Sequence, residues 1–328
     1  MKNQKELKEA LDMGYKNCSK VIILTHINPD FDAIASSLAL AVIAKKYNKE
    51  AYIIIDDPIY KLFHGIQTII NEAKQHYNII TSEEYDKIKD ENDLFVLTDV
   101  NGLNRIPLKD FNENNSIIID HHDTNTDTIN AYFTYIDTNA SSASEIITLL
   151  FKNKIDSQIA TYLLSGIYLD TERFQNNFGK DTKRAFNKLL SSNAQMNMVT
   201  EWFLEDYYSI QKMKELRKKV KYLTYVIAYV EGEDSLIYTR EELAKVAVSL
   251  LDTPVNNISP NASFAIGKID DEIIGISARS KEEIDVGEIM RLLSGGGNAH
   301  SAATQLENTT IDSAKTKLLT LVKPKNLK

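Results

Sequence analysis

Five short runs rich in β-branched residues constrain the fold of this chain more than any other feature: KVIILT (20–25), AYIII (51–55), DLFVLT (93–98), NSIIID (115–120) and AYFTYI (131–136). Each is nearly continuously apolar, as a strand covered on both faces must be, and each is too short for a helix. Helical patterns follow at Ala33–Tyr47, Ser142–Lys152 and Gln158–Tyr168. Strands separated by such segments pair in parallel, so the pattern predicts an α/β domain with a mostly parallel sheet and helices on both faces. Ser142, three residues before Glu145, reads as a capping box for one of these helices.

The pattern then changes. Residues 180–221 carry no strand signal, and the run QKMKELRKKVK (211–221) reads as a solvated helix face. Strand patterns return in LTYVIAYV (223–230), ASFAIGKID (262–270) and EIIGISARS (272–280). VAVSLL (246–251) reads as a helix, and VGEIMRLLSGGG (286–297) as a helix running into a glycine-rich turn. The expected division is a first domain over 1–195, a helical linker over 196–221 and a smaller α/β domain over 222–328.

Charge and cysteine usage narrow the function. The 38 Lys and Arg against 46 Asp and Glu give a net charge of -8, which argues against long nucleic acid as a partner. A single cysteine, Cys18, excludes a disulfide framework and a multi-cysteine zinc site, in keeping with a reducing compartment. The first twenty residues form a charged amphipathic pattern, and no apolar run reaches the ~20 residues of a membrane span, so a cytoplasmic, membrane-free protein is expected.

Polar residues gather where the strands end. The first run ends in His26 with Asp30 and Asp32 just beyond; the third ends at Asp99; the fourth ends in Asp120, His121 and His122. In open α/β sheets ligands bind at that carboxyl edge. Asp170 closes the apolar stretch LLSGIYLD (163–170) and adds a fourth contribution. Carboxylates and imidazoles without thiolate suit Mn2+ or Mg2+, and four clustered aspartates repel one another unless cations neutralise them. The chemistry served by such a set is two-metal hydrolysis of a phosphoester.

These segments resemble the DHH family of phosphoesterases with a C-terminal DHHA1 domain. THINPDFDA (25–33), VLTDVN (96–101), IIDHHD (118–123) and GIYLDTERF (166–174) are similar to its four metal-site motifs in order, and ISARS (276–280) with SGGGNAHSAATQL (294–306) to its DHHA1 elements. The resemblance implies two divalent ions, expected to be Mn2+. His26, Asp30 and Asp99 would hold one, and Asp32, Asp99, His121 and Asp170 the other. It further implies that Asp120 orients a ligating imidazole, that His122 faces the scissile phosphate, and that water attacks without a covalent enzyme intermediate. Arg279, Ser280, Gly295, Gly296, Gly297, Asn298 and His300 are the corresponding substrate contacts. One departure stands out: the family usually carries histidine directly after the glycines, whereas Asn298 stands there and His300 follows two residues later.

Within the superfamily the finer resemblance is to the catalytic portion of GdpP-type cyclic-di-AMP phosphodiesterases, carried by YIDTNASSASEIITLLF (135–151) and SAATQL (301–306). It implies hydrolysis of cyclic di-AMP to pApA and on to AMP, and a homodimer. The alternative is a nanoRNase and 3'-phosphoadenosine 5'-phosphate phosphatase acting on short linear substrates. A manganese pyrophosphatase, suggested by NPDFDA (28–33), lacks the paired SARS and GGG segments.

Overall fold

The computed structural model describes residues 4–124, 127–204, 207–224, 227–252, 259–281 and 284–322. They fall into two compact units, Met1–Leu204 and Glu205–Lys328, so the segment 196–221 is divided between them.

The first unit is built on strands β1 (Val21–Leu24), β2 (Ala51–Ile54), β3 (Asn78–Ile80), β4 (Leu94–Thr98), β5 (Ser116–Asp120) and β6 (Phe133–Ile136). All pairings are parallel, in the order β3-β2-β1-β4-β5-β6. The chain moves outward from β1 to β3, then returns to β4 and moves out the other way. The carboxyl ends of β1 and β4 therefore flank the switch point, where the crossovers leave a crevice. The β3 run, NII, is too short and too mixed to stand out in the sequence.

Successive side chains of a strand point to opposite faces, and the two cores follow that alternation. Val21 and Ile23 join one core with Val96, Ile117 and Ile119, while Ile22 and Leu24 join the other with Phe95, Leu97 and Ile118. Helices α1 (Gln4–Asn17), α2 (Phe31–Lys46), α3 (His64–Ala73), α5 (Ala143–Leu150), α6 (Ser157–Asp170), α7 (Lys180–Ser191) and α8 (Met196–Trp202) contribute to the first core. The second is closed by α4 (Ser82–Asp86), through Tyr85, and by Val100, Ile106, Leu108 and Ile129. Helix α2 is buried nearly all round. Its small residues let it lie close to α6, and the Ser36 and Ser37 hydroxyls bond back to the carbonyls of Ala33 and Ile34.

The second unit carries α9 (Tyr207–Lys218), β7 (Lys221–Thr224), β8 (Ile227–Glu231), α10 (Arg240–Asp252), β9 (Ala262–Asp270), β10 (Ile273–Ser280), α11 (Val286–Leu292), β11 (Gly296–Gly297), β12 (Ser301–Glu307) and α12 (Ile311–Leu321). Its sheet, in the order β11-β12-β10-β9-β8-β7, is mixed: β8 and β9 run parallel and the other described pairs antiparallel. The run expected as one strand over 223–230 is an antiparallel pair instead, and Tyr225 and Val226 between its strands lie outside the described residues.

Candidate metal centre

Local structure aims each polar residue at the switch point. After β1 the chain bends through Asn28, whose φ of 54° lies in the left-handed region that Asn tolerates. The bend is pinned by Ile27 N–H donating to Arg105 O at 2.7 Å and Asn28 N–H donating to Asp57 Oδ2 at 2.7 Å. His26 is buried and its Nδ1 lies 3.0 Å from Ile27 O. A carbonyl only accepts, so Nδ1 carries the proton and Nε2 turns its lone pair inward.

Asp30 caps α2, with Oδ1 accepting from Asp32 N and Ala33 N at 2.9 and 3.1 Å, while Oδ2 lies 3.8 Å from His26 Nε2. One carboxylate thus starts the helix and faces the cluster. Asp32, fully buried, has Oδ2 accepting from Ala143 N at 2.7 Å and Oδ1 from Ser144 N at 2.8 Å, the first amides of α5.

Asp99 sits at the centre. Its Oδ2 is 3.5 Å from His26 Nε2 and its Oδ1 3.3 Å from His121 Nε2. Its φ of 59° is uncommon for a residue other than glycine, and a bond from its N–H to Ile119 O holds it there. Asp170, the last residue of α6, brings Oδ2 within 3.5 Å of His121 Nε2.

Asp120 is a buried hub rather than an open ligand. Oδ1 accepts from His121 N, His122 N and His122 Nδ1 at 2.7, 3.2 and 2.9 Å, and Oδ2 from Asn101 Nδ2 at 2.7 Å. His122 therefore carries its proton on Nδ1 and presents Nε2 from a half-exposed ring.

The six residues expected to hold metal come together in overlapping groups whose ligand atoms all lie within 4.8 Å of one another: His26, Asp30 and Asp99; Asp32, His121 and Asp170; and Asp99 with Asp120, His121 and His122. Asp99 Oδ1, His121 Nε2 and Asp170 Oδ2 are buried without a hydrogen-bond partner. The charges conflict accordingly. Burial, with Asp32, Asp30 and Asp99 nearby, pushes Asp170 up to about 11, and burial with Asp99 pushes Asp32 up to about 7. His121 rises to about 9: burial opposes its charge, but Asp99 and Asp32 favour it more. Such a cluster lacks positive charge, and divalent cations fit both its geometry and its donor set.

In metal-free protein Asp32, His121 and Asp170 retain protons that the unfolded chain, with values near 3.9 and 6.5, has already released. The folded state then binds more protons, so stability falls as pH rises. The Asp32 contribution is lost up to about pH 7 and that of His121 up to about pH 9. Melting in chelator at pH 6 and pH 9 should show the lower Tm at pH 9, with Mn2+ recovering most of the difference. A metal-free Tm that climbs over this range contradicts the assignment.

Three further residues support the site. Asp57 follows β2 at the same carboxyl edge, so the rule that singles out Asp99 applies to it equally. Asn101 stands inside VLTDVN and holds Asp120. Glu145 does not close a box with Ser142: Ser142 Oγ accepts from Glu145 N, but the Glu145 carboxylate bonds Ser141 and Thr182.

The second unit holds a cavity of about 400 Å3 between α10, β10, β12 and the glycine turn. Arg279, Gly296 and Gly297 line it, with Ser277, Ser301 and Gln305. Ser280, Gly295, Asn298 and His300 do not. Ser280 alternates to the opposite face of β10 and is buried, and Asn298 Oδ1 accepts from His300 N and Ser301 N to close the turn. Gly297 has a φ of 128°, and a Cβ there would lie 2.4 Å from Ala302 Cα, which only glycine permits.

Among the described residues no helix is long and apolar enough to cross a membrane. Comparison with known proteins matches the DHH family N-terminal domain to residues 20–167 and the DHHA1 domain to residues 214–324. The cyclic-di-AMP phosphodiesterase PdeA of Listeria monocytogenes is 30% identical over 96% of this chain and 49% of its own length. The cyclic-di-AMP phosphodiesterase GdpP of Bacillus subtilis is 30% identical over 95% of this chain and 49% of its own. The chain thus spans about half the length of either relative. An exopolyphosphatase-related protein from Bacteroides fragilis shares the fold with a TM-score of 0.72 at 21% identity, covering 99% of this chain and 98% of its own. With both domain types matched in order, and with relatives aligned over nearly its whole length, the chain belongs to the DHH family and pairs a DHH N-terminal domain with a DHHA1 domain.

Proposed function

We propose that the chain is a divalent-metal-dependent phosphodiesterase that opens cyclic di-AMP to pApA. The observation that carries this reading is the trio of buried, unpartnered atoms, Asp99 Oδ1, His121 Nε2 and Asp170 Oδ2, converging from three elements. Each buried group left unpaired costs on the order of 1–3 kcal/mol, and a cation among them removes that cost. His26, Asp30 and Asp99 would hold one ion; Asp32, Asp99, His121 and Asp170 would hold the other. Bound there, the two ions supply Lewis acidity that acidifies a water and offsets the phosphoryl charge.

The chain's own residues do the rest. Asp99 serves both groups, so the two cations depend on one carboxylate. Asp120 and Asn101 lock the His121–His122 backbone, and Asp120 fixes the His122 tautomer. With Nδ1–H committed to Asp120, His122 Nε2 at the rim can take a proton from the attacking water and, once it holds one, donate it to a phosphate or leaving oxygen.

The activity for which the PdeA and GdpP relatives are named supports the cyclic substrate. The placement of Ser301, Ala303 and Gln305, from the segment resembling that group, beside Arg279 supports it as well. Arg279 is proposed to bind a substrate phosphate through its guanidinium.

The test incubates Mn2+-loaded protein separately with cyclic di-AMP, pApA, 3'-phosphoadenosine 5'-phosphate and short RNA, and reads products by chromatography. Cyclic di-AMP should be opened at least as fast as the linear substrates. Arg279→Ala should raise KM about tenfold or more with kcat retained, the loss of one charge-assisted contact. Turnover of the linear substrates alone would overturn the cyclic assignment.

A further inference from the structure

We propose that Glu145 is a positioning residue for Asp32, acting through the first turn of α5. The inference rests on reading the cluster as a two-cation centre.

Helix α5 begins beneath that cluster. Its first two amide N–H groups, from Ala143 and Ser144, donate to the two oxygens of Asp32, and the third, from Glu145, donates to Ser142 Oγ at 3.0 Å. Amides at a helix start have no partner within the helix, and here two of them set the plane of a carboxylate on another helix. Asp32 can turn toward His121, whose Nε2 is 4.0 Å from Oδ2, only where α5 lets it.

What fixes α5 is Glu145. Its side chain is 3% exposed, and Oε2 accepts from Ser141 N, Ser141 Oγ and Thr182 Oγ1 at 3.0, 2.7 and 2.8 Å. Thr182 in turn caps α7 by accepting from Gly179 N at 3.1 Å. One buried carboxylate thus ties the turn before α5 to the start of α7. Neither Glu145 nor Thr182 belongs to any group of atoms that could hold the cations, so their effect must pass through Asp32.

Removing that carboxylate leaves the Ser141 hydroxyl and amide buried without their acceptor and frees the Thr182 hydroxyl to turn to Asn177 O at 3.3 Å, so the α5 start is free to shift. The loss should fall on one cation site and not on the other. His26 and Asp30 are held by Ile27 O and by the start of α2, with no contact to Glu145.

Calorimetric titration of the metal-free chain with Mn2+ tests this, beside thermal melting and steady-state kinetics. Wild type should bind two ions. In Glu145→Gln one site should weaken about 10- to 100-fold, the range for partners that orient metal ligands, while the other stays within about twofold. The kcat should fall with KM nearly unchanged. Thr182→Val should give the same selective weakening to a smaller degree, and Thr182→Ser should restore it. Equal affinities in wild type and Glu145→Gln overturn the inference alone, as does equal weakening of both sites in step with Tm. Fewer than two ions in wild type overturn the two-cation reading instead.

Discussion

Asp99→Ala should lower the proposed phosphodiester hydrolysis by about a thousandfold or more without unfolding the protein. The residue faces both groups of side chains, within 3.5 Å of His26 on one side and 3.3 Å of His121 on the other, so on the proposed two-cation reading its loss weakens both sites at once. Loss of several kcal/mol of transition-state charge stabilisation corresponds to a factor on the order of 10³. Asp99→Asn is the sharper companion, because Asn tolerates the positive φ and keeps the shape while removing the charge. It should melt within a few degrees of wild type and be nearly as inactive. Near-normal turnover by either variant would show that Asp99 does not join two cations.

Gly166→Ala destabilises the protein, although alanine is the better helix former by ~1 kcal/mol. Gly166 lies within α6, and a Cβ there would stand 2.3 Å from Ser144 Oγ, 2.6 Å from Asp32 Oδ1 and 3.0 Å from Asp32 Cα. The starts of α2 and α5 must move apart to admit it. Overpacking of this kind costs about 1–3 kcal/mol, and Gly166→Val should cost more. Both variants should also lose activity beyond what their stability explains, since the atoms displaced orient Asp32. Urea denaturation together with Mn2+ affinity checks this. An unchanged or higher midpoint for Gly166→Ala would contradict the close approach of α2 and α6.

The residues that converge on the switch point were legible because they obey a topological rule. His26, Asp99 and Asp120 stand directly at the ends of apolar runs, where a buried strand gives way to a polar edge. What the rule cannot supply is pairing between distant segments. Nothing local shows that Ala143 and Ser144 bond Asp32, 111 and 112 residues away. Nor does Glu145 reveal its choice: the spacing to Ser142 fits a capping box, yet buried Thr182 offers a hydroxyl that draws the carboxylate elsewhere.

The second unit is less legible in the sequence for a different reason. SAATQLE forms β12, with Ala302 and Thr304 buried and Ala303 and Gln305 exposed. Alanine and threonine contrast too weakly for that alternation to register as a strand. The alternation of β10 also separates Arg279, on the cavity face, from its neighbour Ser280, a division that the motif ISARS cannot express.

The most direct test titrates Mn2+ into metal-free protein while cyclic di-AMP hydrolysis is followed on the same sample. Two bound ions are expected, with turnover that rises as the second equivalent binds and is lost completely on adding chelator. Turnover that persists in chelator, or saturation at a single ion with full activity, would contradict the two-cation reading.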